Sequence, residues 1–361
     1  MTGQELTPPP VVSSWSRVTW ITVLVSAVLS LLILTFAWPS SRAEMSGQTI
    51  AVTGDAELVE QFMSNVSGGL SGIADLEQVS DRDAAVAGVL KRDFIGAVVL
   101  VDGAPEVLTA SANGQVPTAV MTEVSGRLQT MLDAQIYDGI RSGIDAAAER
   151  GIDPAAVAGQ LPESLPQVAV TDLVPYSSDD PSGAGATAAG IPLTVGALLA
   201  GLTIAYLVKG VWRKAAAVLG LGVGGGLLLA LILDTWLQVY PGSFGALWLA
   251  LGLSLMATSG LFSGLHAAFG EVGIGIAAGI TLFAAMPWAA FAVPYKFLPA
   301  GLGCIGQCLI PGSTTTLLRI VSYFPDASAA GQWCVLCAWL LVDVVLLALG
   351  RRSTARMRAE A

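Results

Sequence analysis

The sequence predicts an α-helical polytopic membrane protein: six transmembrane helices plus an outer re-entrant segment, with an α/β extracytoplasmic domain inserted between helices 1 and 2. Three observations carry that reading. Acid is segregated: residues 39–188 hold 21 of the 27 Asp and Glu but only 7 of the 17 Lys and Arg, a balance of −14 against +4 for the rest of the chain. The chain is 54% hydrophobic and 12% charged, with a mean hydropathy of +0.69, far from the averages of water-soluble domains. Apolar runs long enough to cross a hydrocarbon core of about 30 Å recur on both sides of the acidic block.

Residues 1–17 form a short cytosolic N-terminus, and residues 18–38, 21 in number and without a charge, form transmembrane helix 1. Ser41-Arg42-Ala43 would suit a signal peptidase, yet the run exceeds the usual apolar core of a signal peptide, about 7–15 residues. Trp20 and Trp38 stand near its ends, as interfacial aromatics do. An uncleaved anchor is therefore expected.

Residues 39–188 form the outer domain with its C-terminal linker. Residues 48–53 read as a strand and 56–66 as a helix. Ser80 is placed to cap a second helix through Leu90, with Asp81 and Asp83 in the first turn, where the helix dipole favours acids. Residues 96–101 and 106–109 are β-rich runs flanking Asp102-Gly103, a hairpin signal. In residues 118–150, Val120, Val124, Leu128, Met131, Ile136, Ile140 and Ile144 recur at helical spacing, so one face should pack on the sheet. Residues 167–174 offer a last strand, and the Ser, Asp, Pro and Gly of 177–185 predict a flexible linker. The block contains neither His nor Cys and no catalytic constellation. Asn65-Val66-Ser67 matches the glycosylation sequon, a weak signal.

Residues 189–350 form the membrane domain, with spans predicted at 191–208, 215–233, 243–265, 272–293 and 332–350. Lys209, Arg213 and Lys214 follow the second span, and Arg351, Arg352, Arg356 and Arg358 lie in the basic tail at 351–361, so the positive-inside bias puts both chain ends in the cytosol and residues 39–188 outside the plasma membrane. The basic clusters are short and juxtamembrane, suited to topology signals or lipid contacts, and nucleic-acid binding is excluded.

Residues 294–331, between the last two spans, are too polar and proline-interrupted for a span and too apolar for a free loop. Irregular backbone at membrane depth must be buried in protein or line a cavity, which predicts a re-entrant segment. Lys296-Phe297-Leu298-Pro299, Ile305-Gly306-Gln307, Leu309-Ile310-Pro311-Gly312, Leu318-Arg319, Tyr323-Phe324 and Trp339 together resemble the C-terminal signature of type-2 ABC transporter permeases, in the branch of the phage infection protein (Pip/YhgE-like) membrane proteins. The resemblance singles out Pro299, Gln307, Pro311, Gly312, Arg319 and Tyr323.

The resemblance implies a dimeric permease, a homodimer or a heterodimer with a second permease, that works with a cytosolic ABC ATPase to export an amphipathic or lipid-like molecule. It also implies an ATPase-coupling loop at Lys209, Trp212, Arg213 and Lys214. No G-x-x-x-x-G-K-[ST] phosphate loop occurs, so the chain is expected to bind no cofactor and to be no enzyme; ATP and magnesium would sit on the partner ATPase. Gly301 to Gly306 fit G-x-G-x-x-G without the strand of a dinucleotide site, so they read as close packing. The alternatives are a non-transport envelope scaffold, secretion accessory or phage receptor, and a proton-driven exporter, whose relay acid would be expected in the fourth span, where there is none.

Asp343, inside the last span, is either a functional intramembrane acid or one that bonds a neighbouring hydroxyl or snorkels to water. His266, the single histidine, and Glu271 fall in a turn that reads as solvated. Cys304, Cys308, Cys334 and Cys337 admit plain packing, a disulfide or a four-thiolate metal site. The glycines at 220–226, with Gly275 and Gly279, supply faces for close helix approach.

Overall fold

The computed structural model describes residues 48–70, 74–101, 105–151, 166–291 and 294–360, together with isolated positions between 16 and 31 that are helical. Most of the first predicted span, Asp102-Gly103, Ser41 to Ala43 and the side chains of the tail beyond Arg351 lie outside the described residues.

The strands of the acidic block form one α/β sheet domain. Its strands are β1 (Thr49–Gly54), β2 (Asp75–Gln78), β3 (Gly96–Leu100), β4 (Glu106–Thr109) and β5 (Ala169–Asp172), in the order β2-β1-β3-β4-β5. β1 pairs in parallel with β2 and β3, β4 runs antiparallel to β3, and β5 is parallel to β4. α1 (Ala56–Leu70) links β1 to β2, and α2 (Arg82–Leu90) carries the chain back across β1 to β3. The central β3 is buried along its whole length, as a strand covered on both faces must be. Val59 and Phe62 of α1, with Val120, Met121, Val124 and Leu128 of α3 (Gln115–Glu149), pack on one face; Ala85 and Val89 of α2 pack on the other.

Two local expectations are corrected. The cap of α2 is Asp81 rather than Ser80: Asp81 Oδ1 accepts from the Ala84 N–H at 2.8 Å, while the Ser80 hydroxyl only donates to Asp81. The apolar stripe of α3 rests on the sheet only as far as Leu128 and, partly, Met131; Ile136, Ile140 and Ile144 are half-buried beyond it. At 1.5 Å per residue the 35-residue helix runs about 52 Å, well past the roughly 24 Å width of five strands.

The membrane half is helical. Four helices among the described residues are long and apolar enough to cross a membrane: α4 (Ala184–Leu207), α5 (Val211–Trp236), α6 (Phe244–Phe269) and the first part of α10 (Ala330–Glu360). The predicted fifth span is shorter than expected: α7 (Glu271–Ala285) has 15 residues, about 22 Å, before the chain turns. α8 (Leu302–Gln307) and α9 (Ile310–Tyr323) follow.

α6 is the hub. It touches α4, α5, α7, α9 and α10, and 67% of its most apolar stretch is buried against 22–39% in the other three spans. Small residues allow this: a Cβ at Gly226 of α5 would strike the Gly252 backbone, one at Gly252 the Gly222 carbonyl and one at Gly222 the Met256 side chain, and Gly201 of α4 lies against Ser259. α5 widens to π-helical geometry at Leu221–Gly225 and Leu231–Trp236, and the Trp248 indole N–H donates to the Val223 carbonyl in the first of these stretches at 2.9 Å.

Candidate functional site

Three polar places interrupt this apolar bundle, one at each end and one within. The inner one is Asp343. Its side chain is 4% exposed on α10, against Gly260 of α6, where a Cβ would collide with the carboxylate. Neither oxygen has a hydrogen-bond partner. The hydroxyls of Ser259 and Ser263 nearby in sequence to Gly260 donate instead to carbonyls of their own helix. The last predicted span thus presents its acid to the middle of the fourth.

At one end, α4 turns into α5 through three residues, too few for a separate coupling helix. Lys209, Trp212 and Arg213 are exposed there, Trp212 at 74%. Lys214 departs from the expected coupling surface: it is buried, with Nζ 3.2 Å from His266 Nδ1. His266 Nε2 lies 3.9 Å from Glu271 Oε1, the Tyr206 hydroxyl donates to Glu271 Oε2 at 2.7 Å, and the Tyr206 and His266 rings stand 5.1 Å apart. His266 is therefore part of a hydrogen-bonded cluster and not the solvated turn residue the sequence suggested. The Arg351 guanidinium stacks over Trp212, 5.7 Å from the ring centre, joining the start of the basic tail to this end.

The opposite end is the junction with the α/β domain, and it holds the resemblance motif. Pro299 opens a 3-10 turn, Pro311 lies in the first turn of α9, and Gly303, Gly306 and Gly312 each let backbone approach where a Cβ would strike a carbonyl of Tyr295, Trp288 or Gly306. α9 is pinned by Thr314 to Ser254 of α6 at 2.9 Å and by Ser313 to the Gln332 carbonyl at 3.2 Å, and the Trp339 indole holds the Cys308 carbonyl. Tyr323 donates to the Val239 carbonyl at 2.6 Å and meets Tyr176 edge to face. Gln307 is half-buried, and both of its amide atoms are shut off from solvent without a partner. The four cysteines are free and exposed.

Residues 177–185, expected to be flexible, form an ordered strap. Asp180 is buried, and its two oxygens accept from the N–H groups of Gly185 and Ala186 at 3.1 Å, capping α4. The Tyr240 hydroxyl donates to the Ala186 carbonyl at 2.8 Å, and burial pushes that phenol up to about 12.

Arg92, half-buried, and Arg319 both stand at this junction, near enough for their charges to interact. Arg319 is 5% exposed. Burial, and after it the neighbouring Arg319, lower the Arg92 guanidinium to about 9, still protonated at neutral pH. Sequence reasoning missed Arg92 altogether; its one signal is a basic residue directly after the second helix.

Fold and site define a helical membrane protein with an α/β domain at one end of the bundle. Compared with protein-family models, curated proteins and solved structures, the chain finds no match in any of the three.

Proposed function

We propose that the chain is the membrane subunit of an ABC-type exporter, of the kind its re-entrant motif resembles, moving an amphipathic or lipid-like substrate outward with energy from a separate ATPase. The observation that carries this reading is the motif itself: Pro299, Gln307, Pro311, Gly312, Arg319 and Tyr323 lie in one helical hairpin against α6 and α10, beneath the α/β domain. In this reading residues 18–38 supply a further span, α7 completes the six, both chain ends are cytosolic, and two permease copies, identical or different, flank the path. Lys209, Trp212 and Arg213 offer the ATPase its exposed contact. The test is affinity purification from gently solubilised membranes. An ABC ATPase should co-purify and be lost from Trp212→Ala/Arg213→Ala, and its absence from intact, folded protein would leave the scaffold or receptor reading in its place.

A second reading, proton-driven export, is favoured by Asp343, whose unpartnered carboxylate abuts α6 at Gly260. An intramembrane acid without a partner is costly, and such acids mark ion or proton paths. Export in proteoliposomes driven by a pH gradient without ATP, and lost in Asp343→Asn, would support it; ATP-dependent export unaffected by that substitution would remove it.

A further inference from the structure

The junction between the α/β domain and the membrane half gathers positive charge, half-buried at Arg92 and buried at Arg319, that no ion pair among the described residues answers. Among the described residues, neither Arg92 nor Arg319 has a carboxylate oxygen within ion-pair distance. Arg92 uses Nε on the Asn113 side-chain carbonyl at 3.1 Å and stacks over Phe324, 5.2 Å from the ring centre, leaving the ends of its guanidinium uncommitted. Beside it lies a cavity of about 220 Å³ between the domain and the hairpin, to which, among the described residues, Lys91, Arg92 and Lys296 bring cations and Asp93 the one acid. Gln48, 5% exposed, also lines it, and its amide NH2 is buried with no partner. A buried donor left unmade costs about 1–3 kcal/mol in general, and such groups are normally satisfied.

The backbone at Arg92 supports the same conclusion. Arg92 closes α2 in a left-handed conformation, φ 65°, with its N–H bonded to the Val89 carbonyl and the next N–H to the Gly88 carbonyl. Glycine is the usual residue at that position of a helix end. A long cation held there against backbone preference, and lining the same cavity as Lys91 and Lys296, is a costly choice for a turn and fits a site that uses its charge.

We propose that this junction cavity is an anion site for a phosphoryl group, held by Arg92, Lys91, Lys296 and the Gln48 amide, with Arg319 adding to the field from behind. Arginine suits a planar two-point grip on phosphate oxygens, and the lysines act as point charges at the rim. The site lies where α4 and α6 begin and α5 ends, at a water-facing end of the spans, so a phospholipid headgroup and a water-soluble phosphate ester are the two sources of that chemistry. The assignment does not depend on whether the chain exports anything.

The test uses the full chain in nanodiscs of phosphatidylcholine alone or with phosphatidylglycerol, and separately in detergent titrated with inorganic phosphate and glycerol phosphate, read by thermal unfolding and native mass spectrometry. A headgroup site predicts a higher unfolding midpoint and retained lipid with phosphatidylglycerol, and little response to the soluble ions. A response to glycerol phosphate or phosphate at millimolar levels assigns the soluble ester instead. In either case Arg92→Gln should weaken the effect at least tenfold in concentration while leaving ligand-free protein as stable as the parent or more so, because it removes charge repulsion. Lys91→Gln/Lys296→Gln, at exposed positions, should weaken it without touching the core, which keeps the test open if Arg92→Gln fails to fold. No response to any of these anions, or an equal response in both variants, overturns the proposal.

Discussion

Gly260 and Asp343 illustrate how one residue can set the terms for another in this bundle. An alanine in place of an interior helical glycine ordinarily stabilises by roughly 0.5–1 kcal/mol. At Gly260 the new methyl would strike the Asp343 carboxylate, whereas at Gly275 nothing lies within 4 Å. Gly260→Ala should therefore lower the unfolding midpoint and Gly275→Ala should hold or raise it. Because the clash is with a single side chain, Asp343→Ala in the Gly260→Ala background should recover part of the loss, with a coupling of at least about 0.5 kcal/mol. Strictly additive effects would mean that the two side chains do not meet. Asp343→Leu, which replaces two unpartnered oxygens by methyl groups in the same branched shape with a little added bulk, should raise the midpoint, since an orphaned buried acceptor costs about 1–3 kcal/mol. A gain in stability with loss of transport would identify Asp343 as a group kept for function.

Between elements, two ties can be measured. Asp180 satisfies two N–H groups at the start of α4 from within the strap, so Asp180→Ala should cost about 1–2 kcal/mol and expose the strap to protease; unchanged stability would show that the cap contributes nothing. On the sheet, Arg82 of α2 grips Glu106 of β4 through Nε at 2.8 Å and Nη2 at 3.0 Å, and Thr171 of β5 donates to the same carboxylate at 2.7 Å. Arg82 first, then Thr171, hold Glu106 below its ordinary carboxylate value. A lowered folded-state value gives stability that is present above the ordinary glutamate value and lost as pH falls through the lowered one, so the midpoint difference between the parent and Arg82→Gln should be seen at pH 7, shrink once pH drops below about 4.3 and vanish only below the folded-state value. These ties also show what the sequence could express. Four of the five strands and the two short helices were legible from local alternation and turn residues, because each buries its own pattern; β2, the polar and largely exposed Asp75–Gln78 at the sheet edge, was missed. The strap was not: its Ser, Asp, Pro and Gly read as a linker, and besides its own Asp180 and the adjacent Tyr176 it is held in place by Tyr240 and Tyr323, distant in sequence. Lys214 and His266, 52 residues apart, could likewise be paired only once α5 and α6 lay side by side. Asp343 was visible as an anomalous acid, but its neighbour Gly260 looked like any other small residue.

For the molecule as a whole, the question is which end faces which compartment. The two ends of the bundle differ in kind: one carries Lys209, Arg213, Lys214 and Arg351 close to the helix ends, the other carries the α/β domain with its excess of acid. Orientation follows cations near short loops, while acids and large domains have little say. The three-residue turn between α4 and α5 is as short as such a loop can be, so its charges should act at full strength. In a cysteine-free background, Asp138→Cys on α3 should react with an impermeant maleimide on intact cells, and Lys209→Cys only after the membrane is opened. The reverse pattern would put the domain in the cytosol and remove any ATPase from reach of Trp212. If the cations are the cause, replacing Lys209, Arg213 and Arg351 together by Gln should give partial labelling of Asp138→Cys, because the chain would then insert both ways. Full labelling in that background would mean that another feature fixes orientation, with the apolar run at residues 18–38 the first to examine.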